Sequence, residues 1–308
     1  MSDIILHHYP PSPVAEKVRI ALGIKKLAWR SAEQNRMPER PELFAMTGGY
    51  RRIPVMQIGA DIYCDSLCIL RELERRFPEP TFFPGPGKGM PLGVSRWTDG
   101  VMFDLMFRVA FAPAVGALPA ALIADRSRLY LGPSPDLKKE LADLPHTLAQ
   151  LRAQFGWLDT QLQSGKQFLT ADQPGLADAL AWYLVWFMRA RYAKADDFMS
   201  EFANLAAWEE RMKAIGHGTP TPMTPAEALA VAKAAEPVTP EKSDLRDPQG
   251  LKPGMTVSLA QARDSGDAPI EGVVHAVDRD TLVIVRDAPE CGRTAVHFPR
   301  VGIRVTPV

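Results

Sequence analysis

Cysteine is scarce in this sequence. Cys64, Cys68 and Cys291 are the only three among 308 residues, and they form neither a CxxC pair nor a Cys/His pattern with the spacing of a metal site. The six histidines likewise show no ligand spacing. These absences argue against a disulfide framework and a zinc site, and they predict a cytoplasmic protein with no bound metal.

The chain also lacks an excess of one charge sign and a long apolar run. Lysine plus arginine and aspartate plus glutamate both number 36, so nothing favours nucleic acid or an anionic membrane as a partner. The most apolar stretch, LADALAWYLVWFM, is too short to cross a bilayer and contains Asp178. The first residues, MSDIILHHYPPSP, lack the basic and apolar segments of a signal peptide. We therefore expect no nucleic-acid partner and no membrane association.

The hydrophobic pattern divides the chain into four regions. Residues 1–80 follow the order strand–helix–strand–helix–strand–strand–helix, whereas residues 90–235 show helical periodicity alone. Residues 236–253 are rich in proline and charge, which is typical of a linker. Residues 254–308 contain five short β segments between Gly, Asp and Pro turns, which predicts a small β-barrel-like module.

The predicted β module has little that points to a ligand. Its charges are balanced, and Phe298 is its only aromatic residue. Small barrels that bind nucleic acid need a basic groove and stacking rings, and this region has neither. Packing against the rest of the chain and docking of a protein partner both stay open.

The stretch PPSPVAEKVRIAL contains the first candidate functional residue. Ser12 stands at the expected N-cap of a helix and Pro13 at its first position, which suits a helix start without any further role. A hydroxyl at the positive end of a helix also suits a bound anion such as a thiolate. Both roles are compatible at one position.

Several motifs resemble those of cytosolic glutathione transferases. SPVAEKVRIAL is similar to the omega and zeta classes, RRIPV to the segment with a cis-proline, and CDS to the acidic-residue–serine pair of the glutathione site. FLTADQPGLADALAW and EFANLAAWEERMKAIG resemble two helices of the all-helical domain. The resemblance covers about residues 3–215. It implies a thioredoxin-like glutathione-binding domain over 1–80, an all-helical domain over 90–235, glutathione as co-substrate and a homodimer.

The resemblance also implies roles for individual residues. Ser12 would stabilise the glutathione thiolate, with Tyr9 as the second candidate. Pro54 would be cis and would present the Ile53 backbone to the cysteinyl part of glutathione. Because serine cannot form a mixed disulfide, Ser12 favours conjugation, isomerisation or dehalogenation over disulfide reduction.

Three more residues complete the implied glutathione site. Ser66 would bind the γ-glutamyl carboxylate and Asp65 the ammonium, although both residues also suit simple helix capping. Arg40 would contact the glycyl carboxylate, with a solvated surface arginine as the equal alternative.

In the helical region, Phe103 and Phe107 fall at helical spacing and are candidates for the pocket of a small apolar electrophile, with core packing as the alternative. Asp178 is expected to cap its helix rather than to take part in catalysis. Gly175 stands where the family usually has serine or threonine. The leading hypothesis is an active glutathione transferase, and the alternative is a non-catalytic binding protein that engages a protein partner through its β module.

Overall fold

The computed structural model describes residues 3–263 and 265–308. Its strands are β1 (Ile5–His8), β2 (Ala28–Glu33), β3 (Val55–Ile58), β4 (Asp61–Cys64), β5 (Thr219–Met223), β6 (Thr256–Gln261), β7 (Ile270–Val277), β8 (Thr281–Ala288), β9 (Gly292–Pro299) and β10 (Ile303–Pro307). Its helices are α1 (Pro13–Ile24), α2 (Pro41–Thr47), α3 (Ser66–Arg76), α4 (Gly89–Arg96), α5 (Phe103–Phe111), α6 (Ala120–Leu131), α7 (Leu137–Ala142), α8 (Leu144–Leu162), α9 (Leu176–Arg191), α10 (Ala195–Met199), α11 (Ala203–Ile215) and α12 (Pro225–Lys233), with a π-helical segment at Trp97–Met102.

The first 80 residues have the thioredoxin-like arrangement. Strand β1 pairs in parallel with β2 and antiparallel with β3, and β3 pairs antiparallel with β4. The order of elements expected from the sequence is therefore confirmed. The sheet continues beyond both sides of this group, in the order β10-β6-β7-β8-β9-β4-β3-β1-β2-β5.

The five C-terminal strands exist, as predicted, but they do not form a separate barrel. Strand β9 pairs in parallel with β4, with Ile62 opposite Val296, so the C-terminal strands extend the thioredoxin-like sheet in one line. One hydrophobic core also joins the two regions. Its buried members include Ala15, Leu43, Met46, Val55, Ile62, Val257, Ile270, Ile284, Val296 and Phe298. Without β9, strand β4 would be a sheet edge with unpaired backbone N–H and C=O groups. Pairing with β9 provides partners for them.

The predicted linker over 236–253 is attached to the sheet rather than free. The backbone N–H of Val238 and the hydroxyl of Thr239 donate to the buried carboxylate of Asp61, at 2.8 and 2.5 Å. His297 of β9 also donates to Asp61, at 2.8 Å. Leu251 is buried in the shared core. Burial alone would raise the pKa of Asp61, but hydrogen bonds from His297, Thr239 and Val238 outweigh it and lower the pKa below its usual value.

Strand β5, with the sequence TPTPM, lies inside the region predicted to be helical. It pairs in parallel with β2 at the outer edge of the sheet. The backbone N–H of Thr219 donates to the carbonyl of Leu27. Because successive N–H groups of a strand point in opposite directions, the N–H of Thr221 faces β2 as well. Pro220 and Pro222 fall at the positions that face away, where proline costs no sheet hydrogen bond.

The chain folds into two compact units. The first contains residues up to Val18, then Leu27–Arg75 and Thr219–Val308, and the second contains Arg19–Lys26 and Arg76–Gly218. Strand β5 and helix α12 therefore belong with the sheet and not with the helical region 90–235 in which the sequence placed them. Among the described residues, no helix combines the length and the apolar character that a membrane crossing requires.

The second unit has a buried cap at the start of α9. Asp178 accepts hydrogen bonds from the backbone of Leu169 and Gly175 and from the indole of Trp208, all at 2.8–2.9 Å. Burial nevertheless raises the pKa of Asp178 above its usual value. These contacts confirm the expected capping role of Asp178 at the helix start.

Glycine at position 175 has a packing reason. A Cβ built there would lie 2.7 Å from the carbonyl oxygen of Phe82 and 2.7 Å from Cδ of Pro84. The backbone of Leu176 donates to the same Phe82 oxygen at 2.8 Å, which holds the two segments together. The serine or threonine usual in the family does not fit this close approach.

Candidate functional site

Ser12 lies at the N-terminus of α1, in the first unit. It is 2% exposed, and its Oγ accepts a hydrogen bond from the backbone N–H of Ala15 at 3.2 Å. The carbonyl of Ser12 accepts the N–H of Glu16, and its own N–H donates to Tyr9. Ser12 is therefore an N-cap, as the sequence indicates, and a hydroxyl that accepts one hydrogen bond still has a proton to donate.

The Ile53–Pro54 peptide bond is cis. Ile53 is buried, and it lies two residues before the start of β3, the strand between β1 and β4. The expectation of a cis bond at this position is met.

Arg40 is buried and clamps the loop that precedes Ile53. Its guanidinium donates to the backbone carbonyls of Asn35, Arg36 and Arg51. Its Cζ lies 5.9 Å from the centre of the Tyr9 ring. Arg40 is therefore not a solvated surface residue, because its guanidinium holds the loop backbone, and its contact with the glycyl carboxylate stays a prediction.

Asp65 and Ser66 form the start of α3. Asp65 has a φ of 78°, in the left-handed region that aspartate tolerates better than most residues, and its Oδ1 accepts the backbone N–H of Leu67 at 2.8 Å. A backbone in this sparsely populated region is often found at functional sites. Ser66 is 4% exposed and occupies the first position of the helix.

Lys17 is a buried residue beside Ser66 that sequence reasoning missed. Its Nζ donates to Oγ of Ser66 at 3.0 Å, and the side chain is 1% exposed. A buried ammonium beside a helix N-terminus creates a strong positive field, which suits a carboxylate. Its position in the sequence could have indicated this burial. Lys17 lies three residues after Val14 and four before Ala21, which is the spacing of the apolar face of α1.

Phe103 and Phe107 are part of the core of the helical unit. Phe103 is 6% exposed and packs edge-on against Tyr130 and face-on against Phe187. Phe107 is 1% exposed and stacks on Phe111 at 4.2 Å between ring centres. Both rings are packed in the core of this unit, and their place in an electrophile pocket stays a prediction from the sequence.

The cysteines do not offer a nucleophile. Cys64 and Cys68 are buried, and burial raises the pKa of both thiols well above the usual value, which keeps them protonated. Within the described residues, no group of three or more His, Cys, Asp and Glu side chains is arranged to hold a metal ion.

Comparisons with known proteins agree with this geometry. The family of glutathione S-transferase N-terminal domains matches residues 6–81, and the family of glutathione S-transferase C-terminal domains matches residues 141–211. No curated protein matches the chain.

Among solved structures, a GST-like protein from Pseudomonas syringae is 31% identical, with a TM-score of 0.83 and all of both chains covered. FzlA from C. crescentus is 20% identical at a TM-score of 0.53, covering 74% of this chain and 92% of that one. A glutathione S-transferase from Rhodospirillum rubrum F11 is 19% identical at a TM-score of 0.52, with coverages of 68% and 88%. These last two show the fold alone. The two domain matches and the full-length similarity show that this chain belongs to the glutathione S-transferase family.

Proposed function

We propose that this protein is a glutathione transferase that ionises the thiol of glutathione at Ser12 for attack on a small apolar electrophile. The observation that carries this proposal is the position of the Ser12 hydroxyl at the N-terminus of α1, oriented by the N–H of Ala15. In this chemistry the thiol proton passes to solvent and the carbon–sulfur bond forms at the electrophile. At the same time the carbon–halogen bond of an aryl halide breaks and releases halide, a carbon–oxygen bond of an epoxide opens, or the C=C π bond of an enone breaks and its carbon is protonated.

The energy needed for ionisation is modest. A free thiol has a pKa of about 8.5, so only a few per cent is thiolate at neutral pH. Donation from Ser12 to sulfur, together with the partial positive charge of the helix N-terminus, favours the thiolate. Lowering the pKa by two units requires about 2.7 kcal/mol, which these two interactions can supply.

The rest of the peptide would bind to neighbouring groups of the same unit. The γ-glutamyl carboxylate would meet Ser66 and the Lys17 ammonium, and Asp65 would meet the γ-glutamyl ammonium. The backbone of Ile53, before cis-Pro54, would pair with the cysteinyl part. Arg40 would hold the loop that carries Ile53.

The test is the pKa of bound glutathione in the parent and in Ser12→Ala, read from the ultraviolet absorbance of the thiolate against pH. We expect the alanine variant to return this pKa toward the solution value. Thr224→Ala is the matched control, since Thr224 is an N-cap of the same unit and accepts from Glu227 at 3.2 Å. If Ser12→Ala titrates like the parent, Ser12 is a cap alone, and Tyr9→Phe becomes the variant to measure.

Two measurements on the same protein preparation distinguish an enzyme from the non-catalytic alternative. Calorimetric titration with glutathione is followed by turnover with aryl halides, epoxides and enones. Binding without turnover of any of them would favour a binding protein that engages a protein partner.

Family membership also supports a homodimer as the solution state. Light scattering should then give twice the 34.0 kDa of the chain.

A further inference from the structure

The C-terminal strands contact the loop that carries Ile53. Oδ2 of Asp267 accepts a hydrogen bond from Nε of Arg52 at 2.7 Å, and Oδ1 lies 3.7 Å from Nε of Arg51. The Asp267 side chain is only 9% exposed, so this ion pair is largely removed from solvent. Asp267 lies between β6 and β7, more than 200 residues away in sequence.

Arg40 also holds the same loop. The Arg40 guanidinium donates to the carbonyl of Arg51, while Asp267 binds the side chains of Arg51 and Arg52. The backbone and the side chains just before Ile53 are therefore fixed by two different parts of the chain. One of these parts belongs to the C-terminal extension.

Two further contacts from the C-terminal strands lie near the start of this loop. The hydroxyl of Thr294 donates to the carbonyl of Met46, near the end of α2, at 2.9 Å. The Arg286 guanidinium lies against Gly48, so closely that a Cβ there would be 2.5 Å from it. Gly48 also has a φ of 78°. The segment from Met46 to Arg52 is thus covered by C-terminal residues at its beginning and at its end.

The part of the chain between α2 and β3, residues 48–54, belongs to neither element. Its first amides bond back to α2, at Phe44 and Thr47, whereas the contacts described at Arg51 and Arg52 come from Arg40 and Asp267. A backbone that must present its N–H and C=O groups to a peptide binds more tightly when it is ordered beforehand, because the ordering entropy is not lost at binding. A carboxylate that is hydrogen-bonded to Arg52 and lies within ion-pair distance of Arg51 supplies such order.

We propose that Asp267 is a positioning residue for the backbone of Ile53, and that the C-terminal strands are thereby a working part of the glutathione site. This inference rests on the proposed function for its ligand. It assigns the extension a role inside the chain and requires no partner protein.

The experiment compares the full-length parent with Asp267→Ala, Asp267→Glu and the control Asp287→Ala. Asp287 is an exposed carboxylate on β8, so its loss removes the same charge from the same extension. Two measurements are made on each protein, namely hydrogen–deuterium exchange of residues 48–53 without ligand and the calorimetric dissociation constant for glutathione.

We expect Asp267→Ala to exchange faster over 48–53 and to bind glutathione about tenfold more weakly, as the loss of a charge-assisted contact predicts. Asp267→Glu should restore most of both properties, because it keeps the carboxylate, and Asp287→Ala should match the parent. Unchanged exchange in Asp267→Ala would overturn the inference, as would faster exchange with unchanged affinity. A parent that binds no glutathione would instead overturn the proposed function, whatever the exchange shows.

Discussion

Lys17 of α1 donates a hydrogen bond to Ser66 of α3 at 3.0 Å, and both side chains are buried. The contact joins the helix that carries Ser12 to the helix that begins after Asp65. It places an ammonium at the position where the proposed site needs to neutralise a carboxylate.

Replacing Lys17 by methionine should therefore weaken glutathione binding. Lys17→Met removes a charge-assisted contact worth about 1.5–3 kcal/mol, so the dissociation constant should rise tenfold or more. Unfolding temperature is followed in the same variant, because removing one partner of a buried polar contact also costs stability. Calorimetry and thermal denaturation measure the two effects. Lys138→Met, on exposed α7, is the control, and equal affinities in all three proteins would remove Lys17 from the site.

Gly175 should not tolerate the residue that the family usually has there. Gly175→Ser places a Cβ 2.7 Å from the Phe82 carbonyl, and forced overpacking of this kind costs about 1–3 kcal/mol. Gly93→Ala, on α4, is the matched control, because a Cβ at 93 meets nothing within 4 Å. Alanine in a helix interior is favoured over glycine by up to about 1 kcal/mol, so this control should be neutral or stabilising. Denaturant unfolding gives both values, and a neutral Gly175→Ser would contradict the packing argument.

Stability should fall as the pH is lowered through the titration of His7. The amide of Gln57 donates to the carbonyls of Gly59 and Ala228, so its oxygen faces the His7 Nε2–H, and Gln34 donates to Nδ1. This network suits a neutral ring, and burial lowers the pKa of His7 to about 4.

The sign follows from proton binding. Between about pH 6.5 and pH 4 the unfolded chain binds a proton at His7 and the folded chain does not, so acid favours unfolding. The loss over this window should be about 3 kcal/mol. Denaturant unfolding at several pH values should show this slope in the parent and a much smaller one in His7→Asn. His146→Asn, which changes an exposed histidine, should keep the parent slope.

A chain that ends at Ala235 should be poorly soluble. The linker-like composition of 236–253 predicts the opposite, because such segments mark domain boundaries. In the structure, truncation removes every hydrogen-bond partner described above for the buried Asp61 carboxylate and leaves β4 as an exposed sheet edge. Sedimentation of the expressed fragment decides between the two expectations. A soluble fragment with a cooperative unfolding transition would show that β9 is dispensable.

Local pattern was sufficient for much of this protein. Ser12 with Pro13, the alternation around Ile53–Pro54 and the five β segments after residue 254 each correspond to an element that forms from neighbouring residues. Asp178 was recognisable for the same reason, since a capping box involves residues only three positions apart. Turn chemistry and hydrophobic period act over a few residues, so they can be read without knowing the fold.

Long-range partners could not be read in this way. Which strand covers β4, which cation meets Ser66 and which carboxylate binds Arg52 are decided by residues 49–236 positions apart. Strand β5 was missed because its prolines oppose a strand locally, and only the edge position beside β2 makes them harmless. Tertiary packing buries Arg40, whose guanidinium bonds the loop backbone, and it buries Phe103 and Phe107 in the core. Sequence spacing alone does not show this burial. These outcomes depend on which surfaces the folded chain brings together, because a buried polar group must find its partner wherever the fold supplies one.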